Sequence, residues 1–186
     1  MKKEDVFAQV ERRKQDMIDD ICAMVQIDST RGEPQFGKPF GSGPAAALEK
    51  ALEICKREGL VTKNIDGYMG YGSFGESQNY IGIIGHVDVV EVGDGWIDSL
   101  FSAVIHDGRI WGRGALDDKG PLFAALYGML ALKDLEVIPK TALRIIFGTN
   151  EESGMEDMKY FLQHEQKPLV GFTLDNKFPA IYGERG

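Results

Sequence analysis

The chain has 186 residues, 43% of them hydrophobic and 27% charged, which suits a globular protein with one domain and a sizeable core. Its 21 Lys and Arg residues against 29 Asp and Glu residues give a formal net charge of −8 at pH 7. Nucleic acids and anionic membranes both require a basic face on their partner, so this balance argues against either one.

The N-terminal segment and the cysteines indicate the cellular compartment of the protein. The opening segment is charged where a signal peptide needs an apolar run, and no stretch approaches the length of a membrane span. Cys22 and Cys55 both fall on apolar faces of helical patterns, as expected for free thiols in a reducing compartment. We therefore expect a cytoplasmic protein.

The first half of the chain predicts two helices and then three strands. Residues 4–27 carry apolar side chains along one broad stripe at helical spacing. After a loop rich in Gly and Pro, Ser42 is a candidate cap for a second helix, which has Pro44 in its first turn and stops at Gly59. The strand-like segments that follow are 61–66, 68–74 and 79–85.

The second half predicts a hairpin and then alternating helices and strands. In the segment 102–112, Asp107 and Gly108 separate two stretches rich in β-forming residues, which is a strong hairpin signal. The remaining elements are a helix from Pro121 to about Leu135, a strand at 141–148, a helix at 156–164, and strands at 169–175 and 180–183. This alternation predicts a layered α/β fold, with a mixed, mostly parallel sheet and flanking helices.

Candidate metal ligands follow three of the predicted strands. They are His86 and Asp88 after the strand at 79–85, Glu151 and Glu152 after the strand at 141–148, and Asp175 at the end of the strand at 169–175. Asp117 and Asp118 lie in the turn just before the helix that starts near Pro121. In open α/β sheets the functional crevice lies at the carboxyl ends of the strands, so these side chains should converge. One imidazole with several carboxylates is the ligand set expected for zinc or a similar divalent ion.

Each of these features also has an ordinary structural interpretation. An isolated His is more often a hydrogen-bonded structural residue than a ligand, and a Glu pair is usually a solvated surface. An Asp pair before a helix usually caps that helix and interacts with its dipole. All three interpretations would have to hold together at the ends of successive strands, so we favour the metal site.

The ordered motifs GHVDVV, GDGW, GRGALDDKGP, TNEESG and TLD carry a more specific signal. Together they resemble the aminoacylase, glutamate carboxypeptidase and dipeptidase V superfamily of co-catalytic metallopeptidases. Within it, the chain is most similar to the dipeptidase V branch of Xaa-His (carnosinase-like) dipeptidases. The similarity covers nearly the whole chain.

The resemblance implies a role for each candidate residue. His86 and Asp175 would bind one zinc ion, Glu152 would bind the second, Asp117 would bridge the two, Asp88 would hold the His86 imidazole, and Glu151 would act as general base. Neighbouring residues of an extended backbone point in opposite directions, so Glu151 and Glu152 can serve different tasks. The resemblance also implies a cis peptide bond between Asp117 and Asp118, and it leaves Asp118 a structural or capping role. Mn²⁺ or Co²⁺ could substitute for Zn²⁺.

The implied reaction is the hydrolysis of short peptides by a water that two zinc ions activate. Two alternatives stay open at this point. One is an N-acyl amino-acid deacylase, which shares the metal motifs, and the other is a non-catalytic metal-binding or interaction module. A mere binder needs no base, so the presence of Glu151 speaks against the second alternative.

The resemblance implies that residues 1–186 are the N-terminal part of a zinc-peptidase catalytic domain. The lid or dimerisation domain and the C-terminal catalytic half, which holds the second-metal histidine, would then be absent. We therefore expect the chain on its own to have little or no peptidase activity. We also expect it to self-associate through surface that those parts would cover.

Overall fold

Helices and strands alternate along residues 2–175, the part of the chain that the computed structural model describes. The helices are α1 (Lys3–Arg12), α2 (Lys14–Val25), α3 (Ser42–Arg57), α4 (Lys119–Asp134) and α5 (Glu156–His164). The strands are β1 (Val61–Ile65), β2 (Met69–Phe74), β3 (Tyr80–His86), β4 (Val104–His106), β5 (Arg109–Trp111), β6 (Ala142–Gly148) and β7 (Val170–Thr173). The strand predicted at 180–183 lies outside the described residues.

The sheet has five strands in the order β1-β2-β6-β3-β7. The pairs β1–β2 and β2–β6 are antiparallel, whereas β3 runs parallel to both β6 and β7. The predicted mixed α/β sheet with flanking helices is confirmed. Its four strand pairs divide evenly between the two orientations, so the expectation that the sheet is mostly parallel is wrong. Because β6, β3 and β7 run in the same direction, their carboxyl ends meet at one edge of the sheet.

Helices cover both faces of this sheet. On one face, α2, α3 and α4 bury an apolar cluster against alternate side chains of β6, including Ile145 and Phe147. On the other face, Ile146 and Phe161 belong to a smaller cluster, in which α5 packs on the sheet. The alternation along β6 follows the period of two that a strand buried on both sides requires.

The helix predicted at 4–27 is in fact two helices that meet at Arg13. The backbone of Arg13 leaves the helical region, with φ −90° and ψ 4°. Its guanidinium binds Asp134 at the end of α4, and Nη1 lies 2.7 Å from Glu58 Oε2 after α3. Through these contacts the break between α1 and α2 is bound to the ends of α3 and α4. Hydrogen bonding to Arg13 also lowers the pKa of Asp134.

Two further predictions concern local structure. Gly41 is the cap residue of α3 and Ser42 is the first helical residue, so the expected Ser42 side-chain cap is wrong. The hairpin is confirmed as β4–β5, with Asp107 and Gly108 at φ 53° and 70° in its turn. Among residues 2–175, no helix has the length and apolarity needed to cross a membrane.

Candidate metal centre

His86 ends β3 and lies opposite Gly148 of β6, at the edge where the parallel strands finish. Its side chain is 1% exposed. Nδ1 lies 3.0 Å from the backbone carbonyl oxygen of Asp88 and 3.4 Å from Asp88 Oδ1. A carbonyl oxygen can only accept, so Nδ1 carries a proton, and Nε2 is the nitrogen that a cation could bind once it has lost its own proton.

Three carboxylates from three different segments surround Nε2 of His86. Asp117 Oδ1 lies at 3.1 Å, Asp175 Oδ2 at 3.4 Å and Glu151 Oε2 at 3.9 Å. Asp117 belongs to the turn before α4, Glu151 to the turn after β6, and Asp175 follows β7. The chain therefore brings these distant positions together around one imidazole.

The ligand atoms form two overlapping groups, each within 4.8 Å. His86 lies with Glu151 and Asp175 in one group and with Asp117 and Glu152 in the other. All four proposed metal ligands therefore converge. The third residue of the first group is Glu151, which is the predicted base and not one of the four predicted ligands.

The turn that carries Glu151 and Glu152 differs from the extended backbone expected there. Glu151–Ser153 form a single 3-10 turn. The expectation of alternating strand directions is therefore wrong for this pair. The two carboxylates nevertheless separate, because Glu151 faces Asp175 and Glu152 faces Asp117.

Asp88 links the two halves of the centre. Its carboxylate is 2% exposed and accepts from the backbone amides of Glu151 and Glu152, both at 3.2 Å. The expected contact with the His86 imidazole is present, and the contact with the 3-10 turn is additional. Asp88 therefore fixes the position of the imidazole relative to that turn.

The charges of this cluster suit a cation. Burial raises the pKa of Glu151, Glu152 and Asp175, and neighbouring carboxylates raise it further, whereas His86 opposes the shift. Burial alone would lower the pKa of His86, but the hydrogen bond and charge of Asp88 outweigh it and raise the pKa to about 10. Crowded carboxylates around one imidazole favour positive charge at this point, which a divalent ion would supply.

Asp118 has no exposed surface, and its peptide bond to Asp117 is cis, as the resemblance implied. Asp118 is the cap residue of α4 but makes no side-chain capping hydrogen bond, so of the structural or capping role that was expected, the structural one remains. Neither carboxylate oxygen of Asp118 has a hydrogen-bond partner among the described residues, and burial raises the pKa to about 7. A Cβ atom at Gly85 would overlap this carboxylate, so the glycine of β3 makes room for it.

A cavity of about 580 Å³ opens beside the cluster. His86, Glu151 and Asp175 line its polar end, and Met155 and Phe172 belong to its apolar wall. A cavity with an apolar wall and a few convergent polar groups is the usual form of a small-molecule site.

The other two histidines lie elsewhere. His106 is in the β4–β5 hairpin between Asp98 and Asp107, and His164 ends α5. Asp157, which the sequence did not single out, is 2% exposed and accepts backbone amides of the segment just before Glu151. A lone Asp near the start of a helix gives no sequence signal for that contact, because the position is typical of ordinary helix termini.

The model of the family described as "Peptidase family M20/M25/M40" matches residues 82–184, which is more than half of the chain. The chain belongs to this family.

Individual relatives agree with that membership. The candidate dipeptidase YtjP of Bacillus subtilis (strain 168) is 43% identical over 180 residues, which cover 96% of this chain and 39% of the relative. The Beta-Ala-Xaa dipeptidase of Lactobacillus delbrueckii subsp. lactis is 40% identical over 95% of this chain and 38% of its own length. The chain thus spans about two fifths of these relatives.

Solved structures show the same fold. The crystal structure of human carnosine dipeptidase 1 superposes with a TM-score of 0.76 over 94% of this chain and 41% of that chain. The dipeptidase Dug1p of Saccharomyces cerevisiae superposes with a TM-score of 0.71. At 20% and 22% identity, these likenesses concern the fold alone.

Proposed function

We propose that this chain supplies most of a two-metal site in a dipeptidase. The observation that carries the proposal is the convergence of three carboxylates on Nε2 of a buried histidine whose Nδ1 is already engaged. Family membership and a relative named as a Beta-Ala-Xaa dipeptidase support the peptidase assignment.

The donor set fits divalent metal ions. We assign His86 and Asp175 to the first ion and Glu152 to the second, with Asp117 as the bridge between them. Imidazole and carboxylate ligands favour Zn²⁺, and Mn²⁺ or Co²⁺ could replace it. Two ions held here would supply Lewis acidity toward a water molecule and toward the carbonyl group of the substrate.

Glu151 is the proposed general base. Its Oε2 is farther from His86 Nε2 than the oxygens of Asp117 and Asp175, at 3.9 Å against 3.1 and 3.4 Å, which favours those two as ligands. The raised pKa of Glu151, which burial causes, suits a group that must accept a proton and pass it on. Glu151 would take the proton of the attacking water on a carboxylate oxygen and deliver it to the leaving nitrogen.

The proposed substrate is a short peptide. The cavity that Glu151 lines has the size of a small-molecule pocket, and its wall contains apolar side chains that can contact a peptide's own apolar groups.

Zinc affinity tests the ligand assignment. His86→Ala should weaken Zn²⁺ binding about a hundredfold or more, because it removes the one imidazole of the cluster. His106→Ala is the matched control, since His106 also lies between two carboxylates, at 3.2 and 3.3 Å, but in the hairpin. Equal effects of the two substitutions would contradict the assignment.

Hydrolysis tests the reaction. In the product of the complete reading frame, Glu151→Gln should abolish dipeptide turnover while zinc remains bound. Hydrolysis of N-acyl amino acids in preference to dipeptides would identify a deacylase instead. Zinc binding without turnover of either substrate class would identify a non-catalytic module.

A further inference from the structure

Four consecutive backbone amides, 149–152, donate to two buried carboxylates. Asp157 Oδ2 accepts from the amides of Thr149 at 2.7 Å and of Asn150 at 2.9 Å. Asp88 accepts the next two amides of the run, both at 3.2 Å. The two carboxylates are each 2% exposed, so water cannot replace them easily.

Asp157 does more than stabilise the start of its own helix. Its Oδ1 accepts from the amide of Met158 in α5, while Oδ2 turns back to the end of β6. In the reverse direction, Asn150 Oδ1 accepts from the amide of Glu156, the first residue of α5, at 3.1 Å. The turn after β6 and the helix after it are therefore fastened to each other by reciprocal hydrogen bonds.

The strand beside the metal cluster leaves space for this carboxylate. A Cβ atom at Gly148 would lie 2.8 Å from Asp157 Oδ2. Gly148 is the residue opposite His86 in the β3–β6 ladder. Asp157 thus lies directly behind the strand end that faces the proposed metal ligand.

We propose that Asp157 is a positioning residue for Glu151 and Glu152. It fixes the first half of the amide run, and Asp88 fixes the second half. A single 3-10 turn has few hydrogen bonds of its own, so the two external carboxylates determine where the two glutamates leave the backbone. This inference rests on the proposed function, in which Glu151 is the base and Glu152 a metal ligand. Outer partners of metal ligands act in this way by fixing orientation.

Asp157→Asn tests the proposal, because it keeps the size of the side chain and replaces one accepting oxygen with an NH₂ group. The amides of Thr149 and Asn150 should exchange their hydrogens about tenfold faster or more, which NMR measures without any metal. Zn²⁺ affinity should fall about 10- to 100-fold. The visible absorption bands of bound Co²⁺ should change, because a displaced Glu152 alters the ligand geometry.

Glu156→Gln is the matched control. Glu156 is exposed and lies in the same first turn of α5. Its contact with Asn150 is made by its backbone amide, which the substitution keeps, so Glu156→Gln removes the same charge as Asp157→Asn without changing a hydrogen bond to that turn. It should leave zinc affinity, the Co²⁺ bands and amide exchange unchanged. A purely electrostatic role for Asp157 would instead make the two variants behave alike.

Two results would overturn the proposal. One is an Asp157→Asn protein with wild-type zinc affinity and Co²⁺ bands. The other result comes from the wild-type protein: the amide hydrogens of residues 149 and 150 would exchange as fast as the amide hydrogen of exposed Gly154. This measurement decides the question even if Asp157→Asn does not fold. Failure of the wild-type protein to bind zinc would contradict the proposed function, while amide exchange would still decide whether Asp157 holds the turn.

Discussion

Replacing Asp88 with Asn should change the number of protons released when zinc binds. Burial favours the neutral form of His86, and the hydrogen bond and charge of Asp88 are the largest of the effects that oppose it, raising the pKa of His86 to about 10. A metal ion binds only the neutral imidazole nitrogen, so zinc must displace a proton from the wild-type site.

The size of the effect follows from that pKa. With a pKa of about 10, only about one imidazole in a thousand is neutral at pH 7, and zinc affinity should rise about tenfold per pH unit up to pH 9. In Asp88→Asn the burial effect remains and the largest opposing effects are gone, so the pKa of His86 falls toward its ordinary value of about 6.5, while the charges of Asp175 and Asp118 still raise it. Zinc binding at pH 7.5 should then release about one proton fewer.

Asp88→Asn also leaves a backbone amide of the 3-10 turn without its carboxylate oxygen. At pH 9 the zinc affinity of Asp88→Asn should therefore be about 10- to 100-fold weaker than that of the wild type. The difference in zinc affinity between the two proteins should become smaller at lower pH. Calorimetric titration in buffers of different ionisation enthalpy counts the protons. Asp107→Asn, beside the exposed His106, is the control. An unchanged proton count in Asp88→Asn would refute the reasoning.

Three further outcomes are expected. Gly85→Ala should destabilise the protein by about 1–3 kcal/mol, because the added Cβ would meet the buried Asp118 carboxylate. Gly128→Ala in α4 should stabilise it by about 0.5–1 kcal/mol, because nothing lies within 4 Å of the added Cβ. Denaturant unfolding of both variants measures these changes. Self-association should appear in sedimentation at high concentration through the edge strand β7, where Val170 and Phe172 are 61% and 49% exposed, and Val170→Lys should reduce it. The 186-residue chain should hydrolyse dipeptides far more slowly per molecule than the Lactobacillus Beta-Ala-Xaa dipeptidase at equal zinc, and comparable rates would contradict the expected need for a further histidine ligand.

The sequence predicted the parts of the centre that depend on strand ends. Periodicity and turn residues located β3, β6 and β7, and the carboxyl ends of parallel strands must meet at one edge. The sequence therefore predicts that His86 and Asp175 lie close together. Their assignment to particular ions came from the motif resemblance and has no equivalent in the periodicity.

The parts that the sequence did not predict depend on contacts between distant residues. The break at Arg13 follows from its ion pairs with Asp134 and Glu58, which are remote in sequence, so an uninterrupted helical pattern conceals it. The 3-10 turn after β6 likewise depends on Asp88 and Asp157, each of which accepts backbone amides. Hydrogen bonds from backbone amides to a distant carboxylate leave no trace in side-chain patterns, because the donors can belong to any residue type except Pro.

The location of bound zinc tests the central claim most directly. Crystals of the zinc-saturated chain, measured on both sides of the zinc absorption edge, would show the ion by its anomalous scattering. We predict a peak within bonding distance of His86 Nε2 and of carboxylate oxygens of Asp117 and Asp175, about 2.0–2.2 Å from each. A peak at His106 in the hairpin, with none beside His86, would contradict the account.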